Sequence, residues 1–76
     1  MHGPMQVGIQ HPDPDVAFVL GMIPHHQGAI DMAQIQLQYG KDPANRKLAR
    51  EIIAAQQHEI EEMKSWLAAR GVKHSE

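Results

Sequence analysis

Two Asp-Pro pairs, each followed by a long stretch of helix-forming residues, most constrain how this chain can fold. Asp13-Pro14 and Asp42-Pro43 both place a capping carboxylate before a proline at the first helical position. Gly40 and Gly71 stand where each stretch should stop. The sequence therefore predicts two helices, over about residues 14–39 and 43–70, with only a few residues between them.

So short a connection requires the second helix to turn back along the first. The predicted fold is all-α, an antiparallel two-helix hairpin with no strands. The chain has 76 residues and no cysteine, so disulfides cannot stabilise it. Two helices alone bury little apolar surface, and we therefore predict a homodimer that forms a four-helix bundle.

The predicted hairpin occupies residues 13–71. Residues 1–12 read as a flexible arm that contains His2, Met5 and His11, and residues 72–76 read as a C-terminal tail. The His2 and Met5 pair resembles a small cluster of soft-metal ligands, or else it is ordinary tail sequence.

Composition and motifs exclude several classes of function. The formal net charge of −2 argues against a nucleic-acid surface, and no apolar run approaches the roughly 20 residues that cross a bilayer. No signal peptide is present, so an exported form would already have lost it. The segment beginning His58-Glu59 lacks the second histidine of a zinc-protease helix. We expect no enzymatic activity.

Histidine and methionine are abundant for so short a chain. There are six histidines and five methionines. Imidazole and thioether together, without thiolate, suit a soft transition-metal ion. On a helical wheel, His26 lies near the middle of the apolar stripe of the first helix, and Glu59 lies in the stripe of the second. A buried carboxylate needs a partner.

Folding the hairpin about Gly40 brings these polar residues to one height. Paired residue numbers should sum to about 81, which sets Met22 level with Glu59. His26 then lies within a turn of Glu59, and Phe18 lies level with Met63. The sequence thus predicts one site inside the bundle.

Two interpretations of that site remain open. Either a metal ion is held there by imidazole, thioether and carboxylate, or a histidine–carboxylate hydrogen bond only fixes the helix register. Neighbouring histidines lie about 100° apart on a helix, so His25 either joins His26 through a kink at Pro24 or serves a neighbouring chain. Met32 lies two turns past His25, and it is either a core residue or a ligand to a second ion.

The stretch from Phe18 to Ala33, FVLGMIPHHQGAIDMA, resembles the signature of the DUF305 family. Gln56, Glu59-Ile60, Met63 and Trp66-Leu67 fit the second-helix pattern of that family. The resemblance implies exported bacterial helical proteins grouped with ferritin-like folds, some associated with copper binding and copper tolerance. The residues that match the two motifs are Met22, His25, His26, Met32, Glu59 and Met63.

We therefore expect a periplasmic or secreted copper-binding protein. Its cargo would be Cu(I) first and Cu(II) second, with other transition metals as further candidates. It would sequester copper or pass it to a copper-handling protein. The alternative is a structural or interaction dimer in which the polar core residues only set helix register.

Overall fold

The computed structural model describes residues 11–72. Helix α1 runs over Pro14–Tyr39 and helix α2 over Pro43–Ala69, and they pack against each other along their length. No strand occurs in the part of the chain described here, so the predicted all-α hairpin is confirmed. Helix α1 continues unbroken through Pro24.

Both helices start as their Asp-Pro pairs predict. The side chain of Asp13 accepts a hydrogen bond from the backbone N–H of Asp15 at 2.9 Å. The side chain of Asp42 accepts one from the N–H of Asn45, also at 2.9 Å. Each carboxylate satisfies an amide that has no partner within its helix, and it also interacts favourably with the helix dipole.

Helix α2 ends in a Schellman motif. Gly71 has φ 70°, a left-handed conformation that glycine adopts without steric cost. Its N–H donates to the carbonyl of Ala68, and the N–H of Val72 donates to that of Leu67, both at 3.0 Å. The side chain of Val72 packs against the core cluster that contains Leu67.

The connection between the helices is stabilised by Arg46. Its Nη1 donates to the carbonyl of Leu37 at 2.6 Å and to that of Gly40 at 3.0 Å. These acceptors lie at the end of α1, where carbonyls lack helical partners. Gly40 needs its small size here, because a Cβ would lie 2.7 Å from the carbonyl oxygen of Gln36. Arg46 thereby links the first turn of α2 to the last turn of α1.

The core of the hairpin is narrow. Its buried hydrophobic residues are Val16, Val19, Ile30, Ala33, Ala49, Ile60 and Leu67. Phe18 and Leu48 lie on the apolar stripes of the two helices, yet they are 64% and 53% exposed. One neighbouring helix covers only part of an apolar stripe.

Within residues 11–72, neither helix is apolar over a length that could span a membrane. The predicted arm lies outside the described residues except for its last two positions, and the predicted tail lies outside them except for Val72.

Replacing Arg46 tests the link at the connection. We expect Arg46→Ala to lower the free energy of unfolding by about 1–2 kcal/mol, since two charge-assisted hydrogen bonds are lost. Arg50 is exposed and lies one turn further along α2. Arg50→Ala should therefore change the free energy of unfolding by no more than about 0.5 kcal/mol. Urea unfolding followed by circular dichroism, at one fixed protein concentration, measures both. Equal effects of the two variants would contradict a role for Arg46 at the connection.

Candidate metal centre

His26 lies at mid-length of α1 and turns toward α2. Its side chain is only 13% exposed. Its Nδ1 lies 2.9 Å from the carbonyl oxygen of Met22, one turn earlier on the same helix. A carbonyl oxygen only accepts, so Nδ1 carries a hydrogen and donates it. This bond fixes the ring and presents Nε2 to the other helix.

Glu59 of α2 meets this second nitrogen. Its Oε1 makes a direct hydrogen-bonded contact with His26 Nε2. The prediction that the two residues lie within a turn of each other is confirmed. The expectation of a buried carboxylate is wrong for the hairpin, because the Glu59 side chain is 50% exposed. It lies at the edge of the helix contact rather than inside it.

The contact with Glu59 occupies Nε2, the ring nitrogen of His26 that faces α2. A metal ion that binds His26 through Nε2 must therefore replace this hydrogen bond.

An open groove of about 420 Å³ runs beside this pair. Four of the six predicted ligands line it, namely Met22, His26, Glu59 and Met63. The aromatic side chains of Phe18 and Trp66 form further parts of its wall. These four residues bring two thioethers, an imidazole and a carboxylate to one groove, and such donors are ligands of soft and borderline transition-metal ions.

The other two predicted ligands lie elsewhere. His25 is exposed and does not line this groove. Met32 is 69% exposed and lines a second groove of about 320 Å³, nearer the connection, together with Leu48 and Ile52. The reason is helical geometry: His25 lies about 100° around α1 from His26, and Met32 lies almost two turns beyond.

The sequence match to a family supports the resemblance noted above. A family model described as "Domain of unknown function (DUF305)" matches residues 15–76. This chain belongs to the DUF305 family. One relative, "Uncharacterized protein L153" of Acanthamoeba polyphaga mimivirus, is 43% identical over 60 residues. The match covers 79% of this chain but 40% of that relative, so the DUF305 chain spans well under half of its length.

One residue of the groove escaped the sequence reasoning. Glu62 lines it beside Glu59, and the spacing of three residues on a helix was the available signal. Even so, no cluster of three or more histidine, aspartate or glutamate side chains forms within residues 11–72 of the DUF305 hairpin. In a single copy, a metal ion would depend on the methionines.

The remaining histidines make weaker interactions. His58 Nε2 lies 3.6 Å from Glu62 Oε2 on the solvent side of α2. His11 Nδ1 accepts a hydrogen bond from the N–H of Asp13 at 3.0 Å, so it helps to shape the start of α1. His2, Met5 and His74 lie outside the described residues.

The two histidine–glutamate pairs of the DUF305 hairpin allow a matched test. His26→Ala removes a largely buried ring and two hydrogen bonds, and should lower the free energy of unfolding by about 2 kcal/mol. His58→Ala breaks an exposed pair within one helix and should cost less than about 0.5 kcal/mol. Urea unfolding of metal-free protein measures both, and a His58→Ala effect as large as that of His26→Ala would refute the assignment.

Proposed function

We propose that this protein binds copper at the groove beside His26 and Glu59. Its function would be to sequester Cu(I), and secondarily Cu(II), or to pass the ion to a copper-handling protein. The observation that carries the proposal is the contact between His26 and Glu59 next to two methionines that line the same groove. The proposed role is binding rather than catalysis.

The donor set supports copper over harder metals. Thioether sulfur is a soft ligand that favours Cu(I), whereas imidazole and carboxylate also accept Cu(II). Magnesium and calcium prefer a shell of oxygen ligands, and Glu59 and Glu62 alone offer few. His25 and Met32 remain proposed ligands, His25 toward a neighbouring chain and Met32 toward a second ion in its own groove. Other transition metals that accept imidazole are further candidates.

The proposed location is the bacterial periplasm or the exterior. It rests on the resemblance to exported bacterial proteins alone.

A second candidate function has one observation in its favour. Both nitrogens of His26 already have hydrogen-bond partners, the carbonyl of Met22 and the carboxylate of Glu59. Such a ring can fix the register of two helices without any metal. In that case the protein is a structural or interaction module.

Removal of two proposed ligands tests copper binding directly. Changing a residue that only hydrogen-bonds to a metal ligand already lowers the affinity for the metal about 10–100-fold. We therefore expect the double variant Met22→Ala, His26→Ala to lose at least about 100-fold in Cu(I) affinity, measured against a strong competing chelator. The control is His58→Ala, which removes an exposed histidine and should leave the affinity unchanged.

Thermal unfolding separates the two candidate functions. A ligand that binds only the folded state adds about 2.7 kcal/mol of stability at 100 times its Kd. The structural role alone would remain if two results were found together. The melting temperature would be the same with copper as with chelator, and the double variant would have the same copper affinity as the unmodified protein.

Copper binding should weaken as the pH is lowered, because imidazole and carboxylate bind a metal ion only in their deprotonated forms. The Glu59→Gln, His26→Ala double variant lacks both groups, so its copper affinity should depend less on pH. Copper titrations at several pH values measure both proteins. An equal pH dependence in the two would show that the ion lies elsewhere.

A further inference from the structure

Within residues 11–72, one side of the hairpin is apolar and no helix covers it. Both grooves open on this side. We call it the open face and define it by Phe18, Met22, Ala29 and Met32 on α1, and Leu48, Ile52 and Met63 on α2. Phe18, Met32 and Leu48 are each more than half exposed there.

The open face follows a coiled-coil spacing along α1. Spacings of four and three residues alternate strictly along a row formed by Phe18, Met22, His25, Ala29, Met32 and Gln36. A row with this period packs against another helix that runs nearly parallel or antiparallel to it. Helix α2 does not fill this role, because it covers the neighbouring face of α1 that carries Val16, Val19, Ile30 and Ala33.

The composition of α1 also requires a second neighbour. Residues 16–30 contain no aspartate, glutamate, lysine or arginine. A helix that is apolar on most sides belongs inside a larger core. In the hairpin only one side of α1 is covered, and Leu67 of α2 is the largest fully buried side chain. Two helices with so small a core need further burial to be stable.

A second copy of this chain fits the open face in size. Two helices about 39 Å long, packed 8–10 Å apart, present a surface of roughly 40 by 20 Å, or about 800 Å². Specific protein interfaces bury about that area on each partner. A second copy also offers a face of equal length and the same apolar character.

The position of His25 connects this face to the metal centre. His25 lies in the middle of the coiled-coil row, less than one turn from the midpoint of Pro14–Tyr39. When two copies overlap fully about a two-fold axis, residues at mid-length meet at the same level, whether the copies run parallel or antiparallel. His25 of one copy then lies level with His26 of the other.

We infer that a second copy covers the open face and that its His25 completes the metal centre beside His26 and Glu59. Among residues 11–72 of a single copy, His26 has one carboxylate partner, Glu59, and no group of three histidine, aspartate or glutamate ligands forms. In the dimer, His25 of the other copy adds the third ligand. The part of this inference that concerns metal rests on the proposed copper function, whereas the interface does not.

The interface is tested on the full chain without metal. In the presence of EDTA, sedimentation equilibrium should give twice the chain mass of 8.5 kDa. Leu48→Glu places a charge on the open face and should give a monomer or an unfolded chain. Ile35→Glu is the matched control, because Ile35 is similarly exposed but lines neither groove, and it should remain dimeric. A folded wild-type monomer at 100 µM, a dimeric Leu48→Glu variant, or dissociation by Ile35→Glu would overturn the interface.

Mixed dimers test the contribution of His25 across the interface. His25→Ala and His26→Ala homodimers should each lose at least ten-fold in copper affinity. After the two variants are unfolded together and refolded, each mixed dimer contains one complete site, formed by His26 of one copy and His25 of the other. Copper titration should therefore recover high-affinity binding in proportion to the mixed dimer. No recovery, or no effect of His25→Ala, would overturn the shared site.

The outcomes separate this inference from the proposed function. A metal-free dimer that binds no copper keeps the interface and refutes the copper function. High-affinity copper binding by a monomer keeps the copper function and refutes the inference.

Discussion

The three-residue connection between the helices is the constraint on which the rest of the structure depends. Gly40–Asp42 is too short to let α2 do anything but run back along α1. Arg46 then links the two helices at the connection by donating to the carbonyls of Leu37 and Gly40. The register set there carries down the hairpin and brings His26 opposite Glu59. A shift of one turn at the connection would separate that pair.

The contact between His26 and Glu59 gives the hairpin a polar centre at mid-length. Its cost is moderate, because Glu59 remains half exposed and the ring nitrogens of His26 are both hydrogen-bonded. As a hydrogen bond, the pair links the two helices at one register. In the proposed copper function, its nitrogen and oxygen would bind the ion beside the sulfurs of Met22 and Met63.

The two helices differ in how much of their surface is apolar, because α1 is apolar on most sides whereas α2 is amphipathic. Helix α2 buries Ala49, Ile60 and Leu67 against α1 and presents charged residues to solvent. Helix α1 has a long uncharged stretch, and α2 covers only one side of it. The side left uncovered carries the coiled-coil row and His25, which connects the question of assembly to that of the metal centre.

The sequence alone determined the helices, their ends and their antiparallel arrangement, because caps, prolines and glycines act over a few residues. It also placed His26 within a turn of Glu59, since the short connection fixes register to about a turn. Only the tertiary structure decided which part of each apolar stripe is buried. Phe18 and Leu48 share a stripe with buried residues yet remain exposed. Periodicity shows that a helix has an apolar side, whereas the position of its neighbour decides how much of that side is covered. The structure also decided that His25 does not join His26 in the groove, since α1 continues unbroken through Pro24.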